Sequence, residues 1–279
     1  MDRTLDQANV AEFRRRVYAH YEAHGRDFPW RHTTDPYHIL VSEVMLQQTQ
    51  TNRVVDKYLR FIGRFPDMRS LARSSTADVL AMWQGLGYNL RALRLHQVAH
   101  ELCTHNGGEV PRDEARLLSL PGIGQYSAAA IRAFAFNLPT IFIETNIRAV
   151  YLHEFFPGEE KVRDRDILPL VQATLDNTAP RRWYQALMDY GATLKECGNP
   201  SRRSAHHRPQ SRFIGSRREA RGVILRALLA NGPSTVDALK HEIAEWDVRF
   251  DDALASLLKD KLVTERDTCF RLPDGLRNG

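Results

Sequence analysis

Cysteine is scarce in this 279-residue chain. Cys103, Cys197 and Cys269 are far apart and odd in number. That excludes a disulfide framework and fits a reduced, intracellular compartment. No apolar run reaches the ~18 residues that a membrane-spanning helix needs. The opening residues, Met1-Asp2-Arg3-Thr4-Leu5-Asp6, lack the apolar segment of a secretory signal. A cytoplasmic protein associated with the nucleoid is the expectation. Strand-like alternation is also rare over the first 195 residues, which argues against a sheet-based domain there.

What is present is helical periodicity and an uneven charge. Apolar content is 43% and the formal net charge is +5. Residues 195–226 hold nine Lys/Arg against Glu196 and Glu219, a local +7 that leaves the remainder at −2. So local an excess suggests a polyanionic partner. Helix patterns are expected over 11–21, 39–58, 70–83, 91–105 and 114–119, with breaks at Phe28-Pro29-Trp30 and Asp35-Pro36-Tyr37. The length suits two or three domains.

Residues 216–279 read as a separate small domain. Helices are expected over 217–229, 236–244 and 250–260, followed by two short strands around Asp267. Three helices and a β-wing form a winged helix, which serves either as a DNA-docking element or as a dimerisation or packing module.

Leu120-Pro121-Gly122-Ile123-Gly124-Gln125-Tyr126 lies between two helix patterns. Its glycines permit a tight turn and close backbone approach. The amides that open the following helix would face a DNA phosphate. Four further stretches occur with it in order: Phe28-Pro29-Trp30-Arg31, the run from Val41 to Gln50 (VSEVMLQQTQ), Trp83-Gln84-Gly85-Leu86-Gly87-Tyr88, and Leu187-Met188-Asp189-Tyr190-Gly191-Ala192. Together they resemble the helix–hairpin–helix DNA glycosylase superfamily over about residues 10–197, and the mismatch adenine glycosylase branch most of all. The resemblance implies a mainly α, two-domain helix–hairpin–helix glycosylase fold, to which the small winged-helix domain is added. The implied division is 1–29 with 139–215, then 30–138, then 216–279.

Excising a purine requires a proton for the departing base and a negative charge beside the sugar cation. Glu43, among Val41, Val44, Met45 and Leu46, occupies the position to which the resemblance assigns proton donation. Glu144 occupies the position of the second carboxylate, normally an aspartate. The extra methylene changes its reach by ~1.5 Å, and misplacement on that scale can cost ~100-fold in rate. A helix-start charge before Asn146 is the alternative role for Glu144. Tyr126 stands where strand-nicking relatives place a Schiff-base lysine, so a monofunctional enzyme without strong lyase activity is expected. Tyr126 and Asn146 are expected near the sugar and Glu144.

The target base must leave the stack. By resemblance, Gln48, Thr49 and Leu86 would wedge into the duplex, and Gly122, Gly124 and Gln125 would hold phosphate. The relatives carry an iron–sulfur cluster on C-x6-C-x2-C-x5-C. Here Cys197 is followed at those spacings by Ser204, His207 and Phe213, so neither a cluster nor any other metal or cofactor is expected. The basic loop would instead grip the backbone through Arg202, Arg203 and Arg208. The expected partner is double-stranded DNA carrying a mismatch or lesion, bound by a monomer. A thymine or uracil mismatch glycosylase and a non-catalytic DNA structure-binding protein are the competing readings.

Overall fold

The computed structural model describes residues 5–207, 212–243 and 246–273. The helices are α1 (Gln7–His24), α2 (Pro36–Leu46), α3 (Thr51–Arg64), α4 (Met68–Arg73), α5 (Thr76–Trp83), α6 (Leu90–His105) and α7 (Glu114–Ser119). They continue as α8 (Gln125–Phe136), α9 (Thr145–Phe155), α10 (Asp164–Thr174) and α11 (Pro180–Glu196). The C-terminal part holds α12 (Arg217–Asn231), β1 (Ser234–Thr235), α13 (Val236–Glu242), α14 (Val248–Lys259), β2 (Thr264–Arg266) and β3 (Cys269–Arg271). The fold is mainly helical. Among the described residues, no helix is long and apolar enough to cross a membrane.

Side-chain caps set many of the helix starts. Asp6 accepts from the Asn9 amide at 2.7 Å at the head of α1, and Asp67 and Ser70 form a reciprocal capping box on α4. Two expected helices are each broken in two. The pattern over 39–58 is interrupted because Gln48 adopts φ 54°, which ends α2 and lets α3 begin afresh. The pattern over 70–83 divides where Ser75 leaves the helix to cap α5. Apolar spacing runs through both breaks, so periodicity alone does not register them.

The chain forms two compact units. The first is Met1–Ile39, Arg112–Ser119 and Ile123–Pro209; the second is Leu40–Pro111, Leu120–Gly122 and Gln210–Gly279. The lines fall differently from the three-part division expected from sequence. Residues 30–39 go with the first unit, and the C-terminal residues share a unit with 40–111.

In the first unit, α9 and α11 form the central pair and α1 packs on α11. Phe13 of α1 meets Tyr151, Phe155 and Trp183 edge-on. Gly191 sets how closely α11 approaches: an added Cβ would lie 2.0 Å from the Asn146 carbonyl oxygen. One turn's reach away, Asp189 is 1% exposed. It accepts from the Arg26 amide (2.8 Å) and Nε (2.7 Å), and from both terminal nitrogens of Arg31 (2.7 and 2.8 Å). The Phe28–Arg31 turn and the Leu187–Ala192 stretch are therefore two halves of one ion cluster.

In the second unit, α5 and α4 pack on α6, and α3 packs on α5. Trp83 is fully buried, and its ring nitrogen donates to the Gly87 carbonyl at 3.2 Å. In the C-terminal part α12 lies along α14, and the strands form an antiparallel sheet of order β1-β3-β2. Phe270 pairs with Ser234 on one side and Glu265 on the other. Asp267 and Thr268, both at positive φ, make the turn between β2 and β3.

Burial pushes the Asp189 carboxyl up, but the hydrogen bonds and charge of Arg31, with those of Arg26, outweigh it and hold it below the ordinary aspartate range. A depressed folded pKa gives stability above the unfolded value that is lost as pH falls through the folded one. Asp189→Asn is expected to cost about 3–5 kcal/mol at neutral pH, because two arginines lose their counter-charge. Urea titrations should show the gap to wild type closing as pH drops below ~4. An equal gap at every pH would contradict this assignment.

Candidate active site

Glu43 lies on α2 in the second unit and is 6% exposed, with Leu40, Val41, Val44 and Met45 buried beside it. The last carbonyls of a helix lack intrahelical partners. Here one side chain takes them up. Arg91 Nη1 donates to the carbonyls of Val44 (2.9 Å), Met45 (2.8 Å) and Gln47 (2.5 Å). Its Nη2 donates to Thr49 Oγ1 and to the Gly87 carbonyl, both at 3.0 Å. A cation at the C-terminal end of a helix also suits the dipole. Burial pulls the Arg91 pKa down to about 10, so the guanidinium stays charged at neutral pH. Arg91 thus ties the Glu43 helix, the Gln47–Thr49 segment and the GLGY turn together. Sequence reasoning missed it. The available signal was its register, since Arg91 shares a face of α6 with buried Leu95, Val98 and Leu102.

Gln48 is exposed at positive φ, and Thr49 is held by Arg91. Leu86 departs from the expectation. It is 2% exposed, so its side chain packs inward and is no wedge. The turn presents half-buried Tyr88 at φ 48° instead.

The hairpin glycines have distinct roles. Gly122 sits at φ 79°, and a Cβ there would lie 2.8 Å from Arg94 Cδ. Gly124 is the N-cap of α8 and has no side chain to offer as a cap. The helix begins at Gln125, and Gly124 and Gln125 are exposed. An uncapped helix start of this kind suits an anion.

Glu144 lies in the first unit as the N-cap of α9. Its Oε1 accepts from the amides of Asn146 (2.7 Å) and Ile147 (2.8 Å), and its Oε2 accepts from Asn146 Nδ2 at 3.3 Å. The side chain folds back so that its carboxylate caps the helix start. Burial raises its pKa above the ordinary value, against the pull of the two amides, Lys195 and Arg148. Asn146 is thus brought to Glu144 through both backbone and side chain. Tyr126, in the same unit, packs edge-on against Phe142, which stacks on Tyr184 at 3.9 Å.

The 197–207 loop braces α9 at both ends. Ser201 Oγ donates to the Thr145 carbonyl at 2.8 Å, while Arg203 donates to the carbonyls of Leu152 (2.7 Å) and Phe156. Arg203, expected to grip DNA, is half-buried, and its guanidinium is engaged with these backbone carbonyls. Arg202 is exposed, and Arg208 lies outside the described residues. The chain does not fit an iron–sulfur cluster. Cys197 is exposed, Ser204 is buried with its Oγ accepting from the His206 amide, and Phe213 offers no ligand atom. No three His, Cys, Asp or Glu side chains converge among the described residues.

A family model described as HhH-GPD superfamily base excision DNA repair protein matches residues 41–173. The adenine DNA glycosylase of Mycobacterium tuberculosis is 36% identical over 284 residues, covering 92% of this chain and 92% of its own. The adenine DNA glycosylase of Rattus norvegicus is 35% identical over 216 residues, which cover 73% of this chain. The match takes in 41% of the rat protein's length. The solved structure of a thermostable thymine-DNA glycosylase superposes with a TM-score of 0.60 at 27% identity, covering 67% of this chain and 88% of the other. The chain belongs to the HhH-GPD superfamily of base excision DNA repair proteins.

Proposed function

We propose that this chain is a monofunctional DNA glycosylase of base excision repair that removes adenine from a mismatched or damaged site in duplex DNA. The observation that supports the reading most is the similarity to an adenine DNA glycosylase over 92% of both lengths, in a chain where Glu43 is buried on α2 and Glu144 caps α9. In this reading Glu43 donates its proton to the ring of the flipped adenine. The bond between sugar C1′ and the base nitrogen breaks, and its electron pair leaves with the base. Glu144, ionised, offsets the sugar cation and accepts a proton from the water that adds to C1′. Asn146 orients it and Tyr126 borders the sugar. The products are free adenine and an abasic site.

Tyr126 offers no amine to attack C1′, so the strand stays intact. Gly122, Gly124 and Gln125 hold a phosphate, Gln48 and Thr49 approach the base opposite, and Arg202 adds a backbone contact. Residues 216–279 act as a winged-helix module, a reading supported by the order helix, strand, two helices and two strands around one three-stranded sheet. The protein works as a monomer in the cytoplasm, on the nucleoid. A thymine or uracil glycosylase is the second reading, favoured by the likeness to the thymine-DNA glycosylase structure.

Duplexes carrying A:8-oxoG, A:G, T:G, U:G or hypoxanthine separate these readings. Strand cleavage of the adenine duplexes that appears only after alkali is the expected result. Cleavage of T:G or U:G alone would transfer the assignment to the second reading, and cleavage of none, despite binding, would leave a DNA-binding protein. Glu43→Gln and Glu144→Gln should each lower the single-turnover rate by ~100-fold or more while duplex affinity is kept. Full activity in either variant would refute that residue's role. Tyr126→Lys tests the lyase argument: wild type should leave no borohydride-trapped covalent complex, and a trapped wild-type complex would contradict it.

A further inference from the structure

The second unit contains an open groove of about 1320 Å³. One wall is the Gln47–Arg53 segment and the GLGY turn, and the other is α12 with the facing side of α14. Its described lining carries eight Lys/Arg and three Asp/Glu. Some of these cations already have partners. Arg91 holds backbone carbonyls, and Arg221 pairs with Asp260 at 2.8 Å. Arg218 joins the two walls, donating to the Tyr88 hydroxyl at 2.8 Å and lying over its ring. Arg217 and Arg226 of α12 are exposed and make no ion pair among the described residues. Arg53 is exposed on the opposite wall, where its guanidinium donates to the Gly85 carbonyl.

The shape points to a polymer. The groove is larger than the ~300–1,000 Å³ of small-molecule pockets. Its floor includes Gly222, where an added Cβ would meet nothing within 4 Å. Glycine is a poor helix former and no neighbour demands it here, so its effect is to leave the helix surface bare for a closely approaching backbone. Gln48, the exposed residue expected to meet the base opposite the target, lines the same groove.

We propose that this groove holds the phosphate backbone of the strand opposite the excised base, with Arg217 and Arg226 on one wall and Arg53 on the other. The C-terminal module is then part of the DNA-binding surface and not a dimerisation element. The choice of strand rests on the glycosylase reading, through Gln48; the groove itself does not.

The test is binding of the full-length protein to an A:G duplex by fluorescence anisotropy across a salt series. Each phosphate contact contributes a slope of ~0.9 in log K against log salt. Arg217→Ala with Arg226→Ala should flatten the slope by ~1.8, and the Arg217→Lys with Arg226→Lys protein should restore it. Circular dichroism and the melting temperature check that each variant is folded. Neutral methylphosphonate linkages in the strand opposite the adenine should flatten the wild-type slope more than that of the alanine variant, which keeps only Arg53 of the three contacts. The same linkages in the adenine strand should flatten both. An alanine variant with the wild-type slope overturns the proposal, and linkages in the adenine strand that flatten the wild-type slope more than the variant's overturn its choice of strand. If wild type excises no base but the alanine variant loses slope, the glycosylase reading fails and the groove stands. Normal excision with an unchanged slope removes the groove alone.

Discussion

The guanidinium of Arg91 is the constraint on which the arrangement of α2, the Gln47–Thr49 segment and the GLGY turn depends. Seven acceptors from three segments converge on it: the end of the Glu43 helix, the Gln47–Thr49 segment and the GLGY turn. A buried cation is tolerated only when its donors are used, and buried carbonyls only when they are paired. Neither partner set is stable without the other. The end of α2 cannot shift without stripping Arg91 of acceptors, so Glu43 is held in register by a residue that does no chemistry. The first unit follows the same logic with the sign reversed. There a buried carboxylate, Asp189, is satisfied by Arg26 and Arg31. Two residues on, Gly191 lets α11 lie against the first turn of α9, which Glu144 caps.

Glu144 is accordingly both a cap and a candidate for chemistry. One oxygen is committed to two helix amides, and the other has a single long contact with Asn146. Capping anchors the carboxylate at the positive end of a helix, where its charge is favoured, while burial opposes the charge. The 197–207 loop uses Ser201 and Arg203 to pin the two ends of the same helix. Side-chain hydrogen bonds to backbone thus supply a support for α9 that needs no metal.

Much of this was legible in the sequence, though unevenly. The five motifs located the hairpin and Glu43, because each is a local pattern of residue types, while Glu144 was located by its place in the resemblance. The turn at Asp267 and the short strands on either side of it were also readable from alternation. The reasons behind the motifs were not. That Arg31 exists to meet Asp189 is a fact about residues 158 positions apart, and no local pattern carries it. Arg91 was hidden because an arginine in a helix is ordinarily solvated. Gln48 broke a helix that periodicity continued, since glutamine gives no hint of a left-handed backbone. Leu86 and Arg203 were misjudged for one shared reason: residue type suggests what a side chain can do, and only packing decides which way it points.

In the proposed mechanism Glu144 is ionised at the moment the glycosidic bond breaks. Its environment sets it above the ordinary glutamate pKa of ~4.3. The single-turnover rate of adenine release, followed against pH, tests this directly. The rate should rise with pH through an ionisation above ~4.3, and that limb should be missing from the residual activity of Glu144→Gln. The same acid limb in both proteins would contradict the account.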